Sequence, residues 1–275
     1  MSKKPSVSIV LPALNEAAGL TKLLPKLKET FQRYEILVID DGSTDNTVSV
    51  CQENGVKVIS FPYSQGNGAA IKHGCRHASG DIILFMDADG QHSVDDIPQL
   101  LTKLDEGYDM VVGARCVETH SSTLKRFGNA FYNRFASMMA GHNIMDLTSG
   151  FRVVKKDVFR KFLYLMPNGF SYPTTSTMAF FRSGHPVAYI PISAEQRTQG
   201  TSSNINVLKD GIRFLVIILK IGALFSPMRL FLPISFLLFL MGTGYYAYTY
   251  SLYSSFTNKS ALLFISSLMV FLIGI

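Results

Sequence analysis

The 275-residue chain has no tryptophan and only three cysteines, Cys51, Cys75 and Cys116. The cysteines show no metal-ligand spacing, and their odd number argues against a disulfide framework, so a reducing compartment is expected. The opening MSKKPSVSIV lacks a hydrophobic segment of signal-peptide length. No internal repeat or low-complexity tract is visible. The first strand-like segment is not followed by G-x-G-x-x-G, which argues against a dinucleotide oxidoreductase. The glycine-rich opening of a sugar nucleotidyltransferase is missing from the same place. A net charge of +6 would suit nucleic acid, but no recognition motif accompanies it, so no nucleic-acid partner is expected. Charge is absent altogether between Leu230 and Tyr250.

What is present divides in two. Up to about Thr201 the chain reads as a soluble α/β domain. Strand signals (SVSIVLPA, EILVIDD, VKVISF, the run Ile82 to Met86, DMVVGAR) alternate with helical ones (Glu16 to Phe31, Thr44 to Asn54, the glycine-bounded QGNGAAIKHGCRHASG, and a helix through Leu104 capped by Ser93). That rhythm predicts a mainly parallel sheet with helices on both faces. Further helices are expected over Leu124 to Gly141, Asp157 to Leu165 and Thr174 to Arg182, with strands at SGFRVV and PVAYIPISA.

From Asn204 the chain turns apolar. Asn204 to Gly222 sets Lys209, Asp210 and Arg213 against Ile205, Leu208, Ile212 and Leu215, the pattern of a helix lying in a membrane interface. A core helix of the soluble domain is the alternative. Leu230 to Tyr250 would span roughly 30 Å as a helix, enough for a hydrocarbon core, and its tyrosines suit an interface. SLYSSFTNKS links it to a second apolar run, Ala261 to Ile275, which is short for a span; the natural protein is expected to continue past it. Lys209, Arg213, Lys220 and Arg229 precede the first span while the link holds only Lys259, so the large domain is expected in the cytoplasm. The expected division is a catalytic domain over 1–203, an interfacial helix and linker over 204–228, and two membrane helices over 229–275, a multi-pass membrane protein whose homo-oligomeric state is left open.

The chemistry concentrates where strands end, the usual ligand position of such sheets. Asp87-Ala88-Asp89 terminates an apolar strand. If strand alternation continues, both carboxylates face one site and suit Mg²⁺ or Mn²⁺, with Gln91 adding a neutral oxygen. A plain helix cap or turn is the competing reading. Asp40 and Asp41 end another strand in DDGSTD; one of them could accept hydrogen bonds from a nucleobase or ribose, or serve only its own turn. PALNE, Pro12 to Glu16, ends the first strand.

PALNE, DDGSTD, DADGQ, GAR and SGFR in this order resemble the family 2 glycosyltransferases of the GT-A fold. More narrowly, the chain is similar to the polyprenyl-phosphate glycosyltransferases typified by dolichol-phosphate mannose synthase, over about residues 5 to 202. The two-helix tail resembles that of membrane-anchored members. The resemblance implies an inverting, metal-dependent hexosyltransferase that moves a sugar from a UDP- or GDP-linked donor to a dolichyl or undecaprenyl phosphate. It implies that Pro12, Leu14, Glu16, Ile39 and Asp41 line the nucleotide pocket, and that Asp87, Ala88 and Asp89 contact nucleotide, ribose and diphosphate. Asp89 and Gln91 would hold the metal, with Asp87 beside them. Arg115 would sit near the phosphates, and Arg126 and Arg197 would grip the lipid phosphate, making Asp89, Arg126 and Arg197 the catalytic set. Asn67, Ala130 and Ser203 depart from residues common in such relatives.

The acceptor can also be argued from chemistry. A sugar hydroxyl needs a general base, usually a carboxylate. The segment after the metal motif, residues 148–177, holds one acid, Asp157, behind two lysines. A phosphate monoester is already anionic and needs cations rather than a base, and guanidinium forks match its oxygens. Processive polysaccharide synthases resemble Q-x-x-R-W carriers, whereas Gln196-Arg197 here is followed by TQG. A non-catalytic nucleotide-binding scaffold would not need the retained acids.

Overall fold

The computed structural model describes residues 5–115, 123–169, 171–192 and 207–275; the side chains of 123–127, 129, 207–211 and 213 lie outside that description. Four strands, β1 (Val7–Ala13), β2 (Glu35–Asp40), β3 (Lys57–Ser60) and β4 (Ile82–Phe85), are mutually parallel. The sheet is completed by β5 (Met110–Arg115), β6 (Arg152–Lys155) and β7 (Val187–Ile192) in the order β3-β2-β1-β4-β6-β5-β7. β6 alone runs antiparallel, to both β4 and β5, while β5 and β7 pair in parallel. The mainly parallel expectation holds, and the one reversed strand is the SGFR segment, set directly beside the strand that leads to the acid pair.

Strand alternation sorts the core into two layers. Ile9 and Leu11 of β1 pack with Leu20, Leu23, Leu24 and Leu27 of α1 (Ala17–Thr30), with Cys51 of α2 (Thr47–Glu53), and with Ile97, Leu100 and Leu104 of α4 (Ile97–Asp105). Val10, between them in sequence, faces the other layer. There it meets Ala70, Ile71 and Cys75 of α3 (Asn67–His77), Phe159 of α6 (Lys156–Arg160), and Ala179 and Phe180 of α7 (Tyr172–Arg182). The α1 leucines recur at helical spacing, and each contributes about 2 kcal/mol on burial. Ser93 caps as its sequence implies, accepting the Asp95 N–H at 3.2 Å.

A third cluster carries the tail. Ala136, Met139 and Ala140 of α5 (Thr123–Ala140) pack with Met178 of α7 and with Ile218 and Ile221 of α8 (Val207–Phe225). Ile212, Val216 and Leu224 on the same α8 remain exposed. One side of this helix is therefore buried in the domain, as the core reading expects, while the other leaves apolar side chains exposed. Arg182 fastens its end by donating from Nη2 to the Phe225 carbonyl at 2.8 Å. α9 (Pro227–Tyr253) and α10 (Asn258–Ile273) form an antiparallel hairpin. Ser235 donates to the Ser267 carbonyl at 2.8 Å and Ser267 returns a bond to the Ser235 carbonyl at 2.9 Å, so the two buried hydroxyls are satisfied across the pair. Phe236, Leu237, Leu240, Met241 and Leu268 point outward. So much exposed apolar surface suits lipid rather than water. α9 is long and apolar enough to cross a membrane; α10 is a shorter apolar helix.

Candidate active site

Two sequence motifs are laced into one floor. Asn15, with a positive φ of 56°, donates its N–H to Ser43 Oγ at 2.8 Å, and its Oδ1 accepts the Thr44 N–H at 2.8 Å. The Glu16 N–H donates to Thr47 Oγ1 at 3.1 Å, and the Ala17 N–H to Asp45 Oδ2 at 3.1 Å. Asp45 thereby supplies the first turn of α1 while also accepting from the Thr47 N–H at 3.0 Å. Burial raises the pKa of Asp45, but the hydroxyl of Thr47 and the surrounding N–H groups outweigh it and hold the carboxyl below its ordinary value.

Pro12 and Ile39 are neighbours across the β1–β2 register. Ile39 is fully buried, so its backbone rather than its side chain is what it can offer a ligand. Leu14 is 45% exposed. Asp41 is buried, and its carboxylate accepts the Ser64 hydroxyl at 2.7 Å and the N–H groups of Gln65 and Gly66 at 2.7 and 2.9 Å. In this state it shapes the loop that opens α3.

The acid pair sits just past β4, which ends at Phe85, so Asp87-Ala88-Asp89 is a turn and not a continuation of the strand. Strand alternation is therefore not what orients the two carboxylates. The turn is held from below: a Cβ added to Gly19 of α1 would lie 2.3 Å from the Ala88 carbonyl oxygen. Only a glycine lets α1 approach this closely. Ala88 is 2% exposed and Asp89 9%, while the Asp87 side chain keeps 37% of its surface open. Asp89 Oδ1 accepts the Gln91 N–H at 3.1 Å.

Asp87 Oδ2 lies 3.5 Å from His92 Nε2, and the His92 ring stacks on Phe151. Burial raises the Asp87 pKa, but His92, Arg115 and Arg152 together pull it below the carboxylate norm, so the group is ionised at neutral pH. A Cβ on Gly150 would fall 2.9 Å from Asp87 Oδ2, so the carboxylate rests in a cradle that any side chain at 150 would fill.

The donor set fits a hard divalent cation. Two carboxylates and an amide oxygen lie within five residues, and Mg²⁺ or Mn²⁺ normally completes its shell with water and substrate phosphate. Among the described residues no group of three or more His, Cys, Asp or Glu side chains gathers to form an all-protein cage.

Arg115, at the end of β5, is close enough for Asp87 and Asp89 to favour its charge. Its fork is already taken by Asp146, with Nε to Oδ2 at 2.9 Å and Nη2 to Oδ1 at 3.2 Å, and Nη2 also donates to Thr148 Oγ1 at 2.6 Å. Asp146 in turn accepts the N–H groups of Thr148 and Ser149 at 3.0 and 3.1 Å, tying the loop before β6.

Arg152, the arginine of SGFR, is the largest fully buried side chain. Its Nη1 donates to the Pro173 carbonyl at 3.2 Å, Ser176 Oγ at 2.7 Å and Thr177 Oγ1 at 3.2 Å; Nη2 donates to the Ser149 carbonyl. Its guanidinium lies 5.5 Å from the Tyr172 ring centroid. No carboxylate forms an ion pair with it among the described residues. Burial lowers its pKa, yet a guanidinium keeps its proton, so a positive charge lies beneath the site that Asp146 and Asp87 offset only from a distance.

Above Arg152 is a cavity of about 110 Å³ lined by Asn67, Asp87, Thr148, Gly150, Ser171, Tyr172, Pro173, Thr174 and Phe214. Asp87 is its only acid. Phe214 comes from α8, so the cavity runs from the acid turn to the helix that leads into the membrane hairpin.

The structure thus gathers Pro12, Leu14, Glu16, Ile39 and Asp41 on one side and Asp87, Ala88, Asp89, Gln91 and Arg115 on the other. Arg126 is in α5, but its side chain is outside the described residues, and Arg197 and Ser203 lie outside them entirely. Sequence reasoning missed Asp146, Arg152, Gly150, His92 and Ser171. Arg152 stood in a quoted motif, but nothing in SGFR says that its arginine turns inward.

A mainly parallel α/β sheet with acids and Arg115 at the strand ends, joined to an apolar helical hairpin, defines the α/β class whose ligands bind beyond the ends of the strands. Residues 8–163 match the family described as Glycosyl transferase family 2, and residues 226–275 match the GtrB C-terminal hairpin. The chain belongs to glycosyl transferase family 2. It is 28% identical over 211 residues to glycosyltransferase AglJ of Haloferax volcanii, covering 75% of this chain and 68% of that one. It is 31% identical over 162 residues to undecaprenyl-phosphate 4-deoxy-4-formamido-L-arabinose transferase of Proteus mirabilis, covering 55% of this chain and 49% of that one. The enzyme of the same name from Shewanella sediminis is 29% identical over 217 residues, covering 71% and 61%. The chain therefore spans between half and about two thirds of these relatives' lengths. Among solved structures, glucosyl-3-phosphoglycerate synthase of Mycobacterium tuberculosis, in complex with Mn²⁺, UDP and phosphoglyceric acid, shares the fold at a TM-score of 0.64 and 19% identity, over 79% of this chain and 78% of that one.

Proposed function

We propose that the chain transfers a sugar from a nucleoside diphosphate sugar to a polyprenyl phosphate, with inversion at the anomeric carbon, at the cytoplasmic face of a membrane. The observation that carries this reading is the cavity between Asp87 and Phe214. Its other lining groups are hydroxyls, an amide, backbone, a proline and the rings of Tyr172 and Phe214, so no spare carboxylate is available to deprotonate a sugar alcohol. An acceptor that arrives already anionic needs none. The relatives named for undecaprenyl phosphate, and the hairpin that continues from the cavity's Phe214 helix, support the same acceptor.

Asp87, Asp89 and Gln91 would hold a Mg²⁺ or Mn²⁺ ion, and the Mn²⁺ and UDP of the structural neighbour support that choice. When bound, the ion supplies charge neutralisation for the departing diphosphate. The floor formed by Pro12 to Glu16 and Asp40 to Asp45 binds the nucleotide. Arg115, held rigid by Asp146, adds a fixed positive charge beside the acid turn at no reorganisation cost. The acceptor phosphate oxygen forms the new bond to the anomeric carbon as the bond from that carbon to the diphosphate oxygen breaks on the opposite face. Arg126 and Arg197 screen the two anions from one another. Residues 1–203 act as the catalytic domain, 204–228 as the interfacial connection, and 229–275 as a multi-pass anchor that keeps the site among lipid head groups, raising effective concentration.

The test offers purified protein, Mg²⁺ or Mn²⁺, and a short polyprenyl phosphate a panel of radiolabelled UDP- and GDP-sugars. Label in the lipid phase is expected for at least one donor. Release of free sugar with an unlabelled lipid phase would contradict the reading.

A further inference from the structure

We propose that the amino-terminal end of α7 is an oxyanion seat that receives the phosphate of the acceptor. The inference rests on the acceptor reading above and assigns that group a place no arginine motif predicts. α7 is 11 residues long; Pro173 in its first turn has no N–H and the Thr175 N–H bonds the Ser171 carbonyl at 3.2 Å, so the N–H groups of Tyr172 and Thr174 are the ones left without an intrahelical carbonyl. With the helix dipole, they favour an anion. A helix end alone is not a site, but this one carries a second mark. Ser171, immediately before it, is 3% exposed and lines the cavity, and its Oγ is buried without a hydrogen-bond partner. Its φ of 93° is a left-handed conformation that costs a non-glycine residue stability. A strained backbone that holds an unsatisfied hydroxyl toward a cavity needs something in that cavity to bind.

The charge beneath points to the sign of the ligand. Arg152 donates to the Pro173 carbonyl and to Ser176 and Thr177, all in the first turns of α7. It makes no ion pair among the described residues and is offset only from a distance by Asp146 and Asp87, so it favours an anion at the turn above it. Thr174, fully buried, adds a second hydroxyl to the lining, held only by a long 3.5 Å bond to the Leu147 carbonyl that an anion's oxygen could replace. Phe214 closes the opposite wall with an apolar ring from α8. A phosphate monoester with an isoprenoid tail matches that asymmetry: oxygens toward Ser171 and Thr174, hydrocarbon toward α8. Asp87 opposes an anion, so the seat is expected to fill best when the donor's diphosphate and its cation are already in place.

The experiment is titration calorimetry on the full chain in detergent, with Mg²⁺ and UDP or GDP present. A short isoprenyl phosphate, inorganic phosphate and the matching isoprenyl alcohol serve as probes. The wild type is expected to bind isoprenyl phosphate, to bind inorganic phosphate more weakly, and to ignore the alcohol. Ser171→Ala, which keeps the Cβ, is expected to weaken both phosphates by about tenfold while nucleotide affinity stays within about twofold. Thr174→Val gives a second, shape-conserving variant if the first melts early. Unchanged phosphate affinity in a folded Ser171→Ala or Thr174→Val, a loss that falls on the nucleotide instead, or no phosphate binding by the wild type would overturn the proposal. The two readings separate cleanly. Ser171-dependent phosphate binding without sugar transfer to any isoprenyl phosphate leaves the seat and removes the acceptor assignment. Transfer with Ser171-independent phosphate binding does the reverse.

Discussion

The proposed donor half and the proposed acceptor half of this domain handle charge in opposite ways. On the donor side nearly every carboxylate is spoken for by the chain itself: Asp41 by the loop opening α3, Asp45 by the starts of α1 and α2, Asp87 by His92, and Asp146 by Arg115. On the proposed acceptor side, built from α7 and α8, the cavity wall is hydroxyl and hydrocarbon apart from Asp87 at its edge, and Arg152 is buried nearby without an ion pair among the described residues. A fixed network of paired charges suits a ligand whose charge must be held still while a bond breaks. A buried cation that carboxylates reach only from a distance favours an incoming anion.

The sharpest way to break that contrast is Asp89→Ala. Transfer is expected to fall by at least about 10³-fold, since the cation's hold on the leaving diphosphate goes with it. Melting is expected to change little, because the turn is fixed by Gly19 and Ala88 rather than by this side chain. Radiolabel transfer beside a thermal melt distinguishes the two effects. Arg152→Met attacks the other half. The Pro173 and Ser149 carbonyls and two hydroxyls lose their donor inside the core, at a cost of about 3 kcal/mol in denaturant unfolding. A smaller effect is expected at the seam between the halves. In Gly150→Ala the new Cβ must displace the Asp87 carboxylate, lowering transfer about tenfold with about 1–2 kcal/mol of stability lost.

The smallest effect lies far from the site, at the opposite ends of β5 and β6. Asp109 bonds Lys155 Nζ at 2.7 Å and His185 Nδ1 at 2.8 Å. Burial raises its pKa, but those two partners prevail and hold it below its ordinary value. A carboxyl depressed on folding contributes stability above its unfolded pKa and loses it as pH falls through the lower folded one. Asp109→Asn is therefore expected to cost about 1 kcal/mol at neutral pH, with the two proteins converging in strong acid. Transfer by this variant is expected to match the wild type, since nothing at that end of the sheet reaches the cavity.

How much of this was legible in the sequence follows the same division. The βα rhythm, the cap at Ser93 and the acids at the strand ends could be read because each depends on residues close together in the chain. The reversed direction of β6 could not, because SGFRVV has the same apolar pattern either way round. Nor could the turn at Asp87, since Ile82 to Met86 gives no sign that pairing stops at Phe85. Arg152 and Ser171 escaped for a related reason. Their significance lies in partners that are absent or that come from a separate helix, and a missing carboxylate leaves no trace in a motif. Asn67, Thr148 and Phe214 meet in one cavity from three distant segments, a juxtaposition only the fold supplies.

The central claim is that the acceptor brings its own negative charge. The most direct measurement offers the protein a polyprenol and the polyprenyl phosphate of the same length, side by side, with the donor it accepts. The account predicts label on the phosphate alone, with the rate declining in acid below about pH 6 as the dianionic monoester takes up a proton and becomes a monoanion. Comparable label on the alcohol would mean that a base operates in the cavity, and the account would be wrong.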